Sequence, residues 1–586
     1  MKRTCDPSLG GECVKRFGIG YENYREFIEE NLYYIDKTWL VRDVIEKGGK
    51  VILFTRPRRF GKTLALSMLQ TFFELEYDKD GRVVSKERYF DGKRIMEAPD
   101  ELLSMMGQVP VIRLSLKSAN QPDFNRAGLR IRDEIVSEYS RHSYLLDSKE
   151  LSVLEKEHFY SFLDAVDERK LHTREEYQEE IFKYSTALKT LSVFLMKHHG
   201  RKVMILLDEY DVPLENAWEN GFYDEMVGYI RSLFESALKT NDALFKGIVT
   251  GCLRISRESI FTGMNNLLIN TIRESGFDEA FGFTESETMQ MLSDYGIADR
   301  IPEVKKWYDG YCFGETEIYN PWSIVQYVYG TVIGKKKFPE PYWANTSSNR
   351  IIRELVYRAD DSLKAELDTL VEGGTIEKKI HEDITYGEIR ESEDNLWNFL
   401  YFTGYLKKVS ERIEGEDVYM TMTIPNAEIR SIYRNQISSW FEKKVKEADR
   451  SMFHRAVLEG DTEGMDSFIR NLLGKTISTF DSTERFYHGI CLSLLYGVPG
   501  YEVRSNREEG NGRPDIVLYP SNPRDPAILF ELKERKKFAE MRDGIEEALR
   551  QIREKGYVEG ILNDGYIGCS AYGICFCRKT CIVEKC

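Results

Sequence analysis

Residues 50–69 read KVILFTRPRRFGKTLALSML. Val51 to Phe54 form an apolar, strand-like run. A short basic loop follows and ends in Gly61-Lys62-Thr63, after which Leu64, Leu66, Met68 and Leu69 recur with a helical pattern. Strand, loop, Gly-Lys-Thr and helix, in that order, make the pattern of a phosphate-binding loop. A helix N-terminus presents unpaired amides and a partial positive charge to a phosphate. In that arrangement Lys62 reaches the β- and γ-phosphates of ATP and the Thr63 hydroxyl binds Mg²⁺. The usual pattern begins with a glycine five residues before the Gly-Lys pair, and here that position is Arg56. Pro57 removes a backbone donor, while Arg56, Arg58 and Arg59 add positive charge.

A second stretch, KVMILLDEYD at 202–211, supplies the partner of such a loop. Val203 to Leu207 are uniformly apolar, as in a central parallel strand buried on both faces. The strand ends in Asp208-Glu209, where open α/β sheets place their ligands. In a phosphate-loop ATPase the aspartate orders Mg²⁺ through water and the glutamate polarises the attacking water. A third strand is expected over LFKGIVTG, 244–251. Thr250 at its end is placed to sense a γ-phosphate, and either Arg254 or Arg257 to complete the site.

Upstream, Tyr24, Phe27 and Ile28 are helically spaced, and a second helix carries Leu40, Val41, Val44 and Ile45 before Gly48-Gly49 stops it. VPVIRLSL at 109–116 alternates as a strand, 124–140 and 175–198 carry amphipathic helical patterns, and 141–174 reads as a charged surface insertion.

The chain has 586 residues, so several domains are expected. Charged residues are 31% and the net charge is -15, which excludes a uniformly basic nucleic-acid coat but leaves room for a local basic groove. The opening residues lack an apolar signal core and no apolar run nears the ~20 residues of a membrane span. The expectation is a soluble, cytoplasmic protein with no membrane partner. Five of the ten cysteines lie between Cys569 and Cys586. Cys575 and Cys577 alternate along GICFC and read as small buried thiols on one face of a closing strand.

The C-terminal region carries the other chemistry. Residues 513–533 read RPDIVLYPSNPRDPAILFELK. Two strands flank the turn formers SNPRDP. An antiparallel hairpin centred there puts Asp515 across from Leu532, give or take one residue. Glu531 and Lys533 share a face, and a one-residue register choice brings Asp515 onto it. Asp515 and Glu531 are then oxygen ligands for Mg²⁺ or Mn²⁺. The metal activates water and offsets phosphate charge, and Lys533 orients the nucleophile or stabilises the transition state. Glu484 and His488, four apart, share a face of the helix expected from 482 to 497.

Several motifs together resemble the AAA-ATPase-like family of prokaryotic proteins. They are RPRRFGKTL (56–64), YYIDKT (33–38), LLDEYDVPL (206–214), FTGMNN (261–266), WYDGY (307–311), YNPWSI (319–324) and WANTSSN (343–349). The resemblance extends over roughly 17–586. It implies an α/β multidomain protein in which a P-loop, AAA-like parallel sheet (17–283) precedes a helical lid (284–349). A winged-helix-like region (350–445) and a PD-(D/E)XK restriction-endonuclease-like domain (450–586) follow. It makes the RPRRFGKT form of the loop usual, and adds Arg59, Gly61, Lys62, Thr63, Asp208, Thr250 and Arg254 as nucleotide contacts with Glu209 catalytic. Pro514-Asp515 with Glu531-x-Lys533 looks like the PD-(D/E)XK signature. In that family a helical glutamate, here Glu484, often completes the metal site, and Gln551 matches a polar helix position supporting the catalytic strand. Trp307, Tyr308, Asp309, Gly310, Tyr311, Asn320, Pro321 and Trp322 read as packing and turn residues. Asn426 and Glu428 fit an N-terminal cap, and EKKVKEADR (442–450) is either a linker or a solvated helix face.

The function expected is ATP binding and hydrolysis joined to metal-dependent cleavage of nucleic acid, with homo-oligomerisation open. Two alternatives stand beside it: a nucleotide-gated switch whose nuclease-like domain binds without cleaving, and a nuclease whose ATPase domain is inert.

Overall fold

In the computed structural model, the apolar run after Lys50 is strand β1 (Val51–Thr55) of a five-stranded sheet. Its neighbours are β2 (Val111–Ser115), β3 (Val203–Asp208), β4 (Leu244–Gly251) and β5 (Leu267–Asn270), in the spatial order β2-β3-β4-β1-β5. All four pairings are parallel. Every residue of β1 and β3 is buried, so both faces of the sheet are covered and the strands read as unbroken apolar runs. Thr55 is level with Gly251, and Leu207 with Val249, which brings the carboxyl ends of β1, β3 and β4 together.

The structure describes residues 15–254, 260, 261, 264–343, 352, 353, 355, 361–380, 386, 388, 392–447, 449–474, 484–505, 514–522 and 524–586. Arg257, and all of WANTSSN beyond Trp343, lie outside them. The chain divides into two compact units, Met1–Ser347 with Glu377–Ile429, and Ser348–Ile376 with Arg430–Cys586.

In the first unit the two lead-in helices span Tyr24–Glu29 and Leu40–Glu46. The charged stretch 141–174 is less superficial than its composition implies. Its helix Val153–Leu163, opened by a Ser152 capping box, buries Phe159 and Phe162 against Tyr139, with ring centroids 4.9 and 5.0 Å away. Beyond the sheet, helices Glu285–Asp294, Ile301–Tyr308 and Pro321–Val332 surround a small sheet. They share a core of Met291, Leu292, Tyr308, Tyr319, Ile324 and Val328. Asn320 caps the third helix by accepting from Trp322 and Ser323 amides. The aromatic motifs of this region therefore do pack and turn the chain. Helix Glu393–Phe402 and a hairpin, Lys407–Glu414 with Asp417–Thr423, follow. The helix Ala427–Glu447 takes up most of the charged stretch 442–450.

The second unit holds a mixed sheet in which Tyr501–Ser505, Ile516–Pro520, Ala527–Glu534, Cys569–Cys577 and Thr580–Lys585 lie side by side in chain order. Neighbours are antiparallel except Ala527–Glu534 and Cys569–Cys577, a parallel pair joined through the helix Met541–Lys555. Cys575 and Cys577 are buried beside Met541 and Ile545 on that helix, as small apolar side chains. Among the described residues, no helix is long and apolar enough to cross a membrane.

Candidate functional site

The loop of 56–63 crosses from the end of β1 into the helix Lys62–Phe73. Gly61 makes the turn with φ 86°, a left-handed conformation that glycine adopts without strain. A Cβ at Gly61 would meet nothing within 4 Å among the described residues, so it is the left-handed backbone rather than crowding that favours glycine there. Lys62 is buried, and its ammonium donates to the carbonyls of Arg56 (2.8 Å) and Pro57 (3.0 Å), with Cys252 Sγ at 3.5 Å. Burial, eased by the Lys62 charge, pushes the Cys252 thiol up to about 11.

The three arginines of the loop have separate roles. Arg56, at the position usually held by glycine, is fully buried. Its guanidinium donates to Thr55 O and Asn270 O (2.9 Å each), Asn270 Oδ1 (2.6 Å) and Phe277 O (3.3 Å), and lies over Phe281 and Phe313. It ties the loop to the end of β5, and burial pushes its pKa down to about 10. Arg58 pairs with Glu215. Arg59, with φ 71°, stacks over Trp322 at 4.5 Å.

At the neighbouring strand ends, the buried Asp208 accepts from Thr250 Oγ1 at 2.5 Å. Glu209 sits at φ 52°, and burial together with Asp208 raises its carboxyl above the usual range. Loop, Asp208, Glu209 and Thr250 thus gather at one edge of the sheet. Arg254 follows the end of β4. Asp211, not singled out from the sequence, holds that exit by accepting from the amides of Cys252 (2.7 Å) and Leu253 (3.1 Å).

Two further residues, Trp343 and Glu428, make contacts the sequence reading could not anticipate, because their partners lie far along the chain. Trp343 is buried and donates its indole N–H to Arg58 O at 3.2 Å, while its ring packs on Tyr405. Its own amide donates to Glu428 at 2.8 Å, as does Ser323 Oγ at 2.8 Å. Asn426 caps its helix through the Ile429 amide, and the Glu428 carboxylate accepts from Trp343 and Ser323. It is a fully buried acceptor between two distant segments, and burial pushes its pKa up to about 7.

In the C-terminal sheet, Ile516 pairs with Phe530 and Val517 with Leu529. Continuing that register by one step brings Asp515 level with Glu531, one residue from the central estimate and within its stated range. Asp515 Oδ2 accepts from the Leu532 amide at 2.8 Å. Glu531 is 1% exposed. Its Oε1 accepts from Lys533 Nζ at 3.1 Å, and its buried Oε2 has no hydrogen-bond partner among the described residues. Burial, and Asp515 nearby, push the Glu531 carboxyl up to about 7; burial also raises Asp515. Burial opposes the Lys533 ammonium, but Glu531, Glu484 and Asp515 outweigh it and carry its pKa above the ordinary lysine value. Glu484 opens the helix Glu484–Leu495; burial raises its carboxyl, Lys533 lowers it and Asp515 raises it further.

His488 is a strut between elements: Nε2 contacts Asp515 O at 3.0 Å and Ser505 Oγ at 2.9 Å. Gln551 donates to the hydroxyl of Tyr557 at 3.2 Å. Tyr557 is buried, and its hydroxyl feels Glu531, Asp515 and Lys533. It stands six residues beyond Gln551, past Gly556, where helical spacing from the first helix no longer applies. Among the described residues, no group of three or more His, Cys, Asp or Glu side chains is gathered for a metal. The fit for a cation rests on the pair Asp515 and Glu531: hard oxygen donors, one of them an orphaned buried oxygen. Mg²⁺ accepts one or two protein carboxylates completed by water and substrate oxygens.

The family described as "Predicted AAA-ATPase" matches residues 18–261. The PD-(D/E)XK nuclease superfamily matches residues 482–586. A protein of Azotobacter chroococcum mcd 1, described as "Uncharacterized protein in vnfD 5'region", is 22% identical over 561 residues, 93% of either chain. A parallel sheet with a loop and acids at one edge, followed by a mixed sheet carrying Asp515, Glu531 and Lys533, agrees with both family matches. The chain is thus similar to the predicted AAA-ATPase family over residues 18–261 and to the PD-(D/E)XK nuclease superfamily over residues 482–586.

Proposed function

We propose that this protein binds and hydrolyses ATP at the loop of 56–63 and cleaves phosphodiester bonds of nucleic acid at Asp515, Glu531 and Lys533. The observation that carries the cleavage half is the buried Glu531 carboxyl: its Oε1 accepts from Lys533, and its Oε2 has no hydrogen-bond partner among the described residues. An unsatisfied buried oxygen is costly, and a hard cation relieves that cost while using the second carboxylate. Asp515 and Glu531 would hold Mg²⁺ or Mn²⁺, with Glu484 reaching in from its helix. The ion supplies an acidified water and charge stabilisation when bound. Lys533 holds the attacking water or the phosphate oxygen, and His488 keeps the backbone at Asp515 in place. In the ATPase half, Lys62 exchanges the Arg56 and Pro57 carbonyls for phosphate oxygens. Thr63 and Asp208 would hold the Mg²⁺ that accompanies ATP, Glu209 would polarise water, Thr250 would report on the γ-phosphate through Asp208, and Arg59 and Arg254 would add positive charge.

The test is incubation of the full chain with single- and double-stranded DNA and RNA in Mg²⁺ or Mn²⁺. Cleavage is expected, abolished by EDTA and reduced at least about a hundredfold by Asp515→Ala or Glu531→Ala. Lys62→Ala should abolish ATP turnover. If the wild type cuts no substrate, and Mn²⁺ calorimetry finds no site that Glu531→Ala removes, the cleavage reading fails and a binding-only domain takes its place.

A further inference from the structure

The cleavage set leaves unused a basic, aromatic edge beside it. The strand Ala527–Glu534 runs directly into Arg535-Lys536-Lys537-Phe538. Its parallel partner, Cys569–Cys577, ends level with it, since Glu534 is paired with Phe576 and the Arg535 amide donates to Phe576 O at 2.9 Å. That partner turns through Arg578-Lys579 into the last strand. Parallel pairing therefore delivers two basic segments to one edge. The helix bearing Glu484 starts there too: Tyr487 stacks on Phe576 at 4.2 Å and donates to Arg578 O at 2.8 Å. Asp515 and Lys533 lie toward the same end, because Ile516, at the start of its strand, pairs with Phe530 in the later half of Ala527–Glu534.

Charge and exposure single this edge out from a chain of net charge -15. Arg535 is taken up by Glu547, and Lys537 lies 3.5 Å from Glu540. Lys536 and Arg578 are exposed and Lys579 is partly exposed, and among the described residues none of the three pairs with a carboxylate. Phe538 is 72% exposed in their midst. One exposed ring is ordinary on a protein surface. A ring set among unpaired cations, next to a phosphodiester-cleaving set, is how single strands are held: cations follow the phosphates and the ring stacks on a base. A duplex offers no free base face at its side.

Resting on the cleavage reading above, we infer that Lys536, Phe538, Arg578 and Lys579 form the track that feeds single-stranded nucleic acid to Asp515, Glu531 and Lys533. The experiment measures fluorescence anisotropy of a labelled oligothymidylate, an oligouridylate and a duplex of equal length. It uses the full chain in EDTA, both as wild type and carrying Asp515→Ala. Single strands should bind more tightly than the duplex, and the two homopolymers separate DNA from RNA. Phe538→Ala should weaken single-strand binding about tenfold, and Phe538→Trp should retain it. Lys536→Ala with Lys579→Ala should reduce the slope of log affinity against log salt by about 1.4. Absence of binding, tighter binding of the duplex, or unchanged affinity of Phe538→Ala overturns the track. Cleavage that survives while Phe538→Ala binds like wild type rejects the track alone. Phe538-dependent binding without any cleavage rejects the catalytic reading and leaves the track standing.

Discussion

Arg56 occupies the place where most phosphate loops have glycine, and its side chain turns away from the loop to bind Asn270. The departure from the usual pattern is thus a structural tie. Arg56→Gly should leave the Asn270 and Phe277 acceptors unpaired in the interior. The expected cost is about 3 kcal/mol of stability by denaturant unfolding, with no gain in ATP affinity. Glu428 is a second buried group with a definite signature. Folding raises its carboxyl from 4.5 to about 7, so the folded state holds that proton more tightly than the unfolded chain. Its contribution is complete below pH 4.5 and lost as pH rises through about 7, on the order of 3 kcal/mol. Glu428→Gln should therefore gain thermal stability relative to wild type as pH rises from 5 to 8. Parallel melting curves across that range would refute it.

At the scale of elements, each of the two candidate sites depends on strand ends held level. Hydrophobic runs mark β1 and β3 in the sequence, because a strand covered on both faces must be apolar throughout. The C-terminal hairpin was legible for a similar reason: turn formers fix its centre, leaving only a one-residue choice. Side-chain packing made that choice, bringing Asp515 level with Glu531. His488 locks it by tying helix Glu484–Leu495 to the backbone at Asp515 and to Ser505. His488→Ala should lower kcat for cleavage roughly tenfold with KM little changed, and His488→Asn should recover part of the loss. Equal loss in both variants would mean a merely structural role.

At the scale of the whole molecule, the two sets of charged residues belong to two separate compact units. Asp515→Ala in the full chain should accordingly leave ATP turnover within about twofold of wild type, measured by phosphate release; a larger fall would show that the nuclease domain drives the ATPase. Local sequence was enough to mark the strands at 51–54, 109–116, 203–207 and 244–251 and the Gly61-Lys62-Thr63 turn, and to single out Asp208, Asp515, Glu531 and Lys533 as candidates. Those features rest on period, turn chemistry and burial over a few residues, which neighbouring positions encode. The tertiary structure alone decided that Arg56 is buried, that Trp343 holds the Arg58 carbonyl, that Glu428 bridges Ser323 and Trp343, and that Gln551 donates to the buried Tyr557 hydroxyl. Trp343 and Arg58 are 285 positions apart, and Glu428 and Ser323 are 105 apart. No local periodicity reports a contact between segments that distant, and only packing brings them within a hydrogen bond.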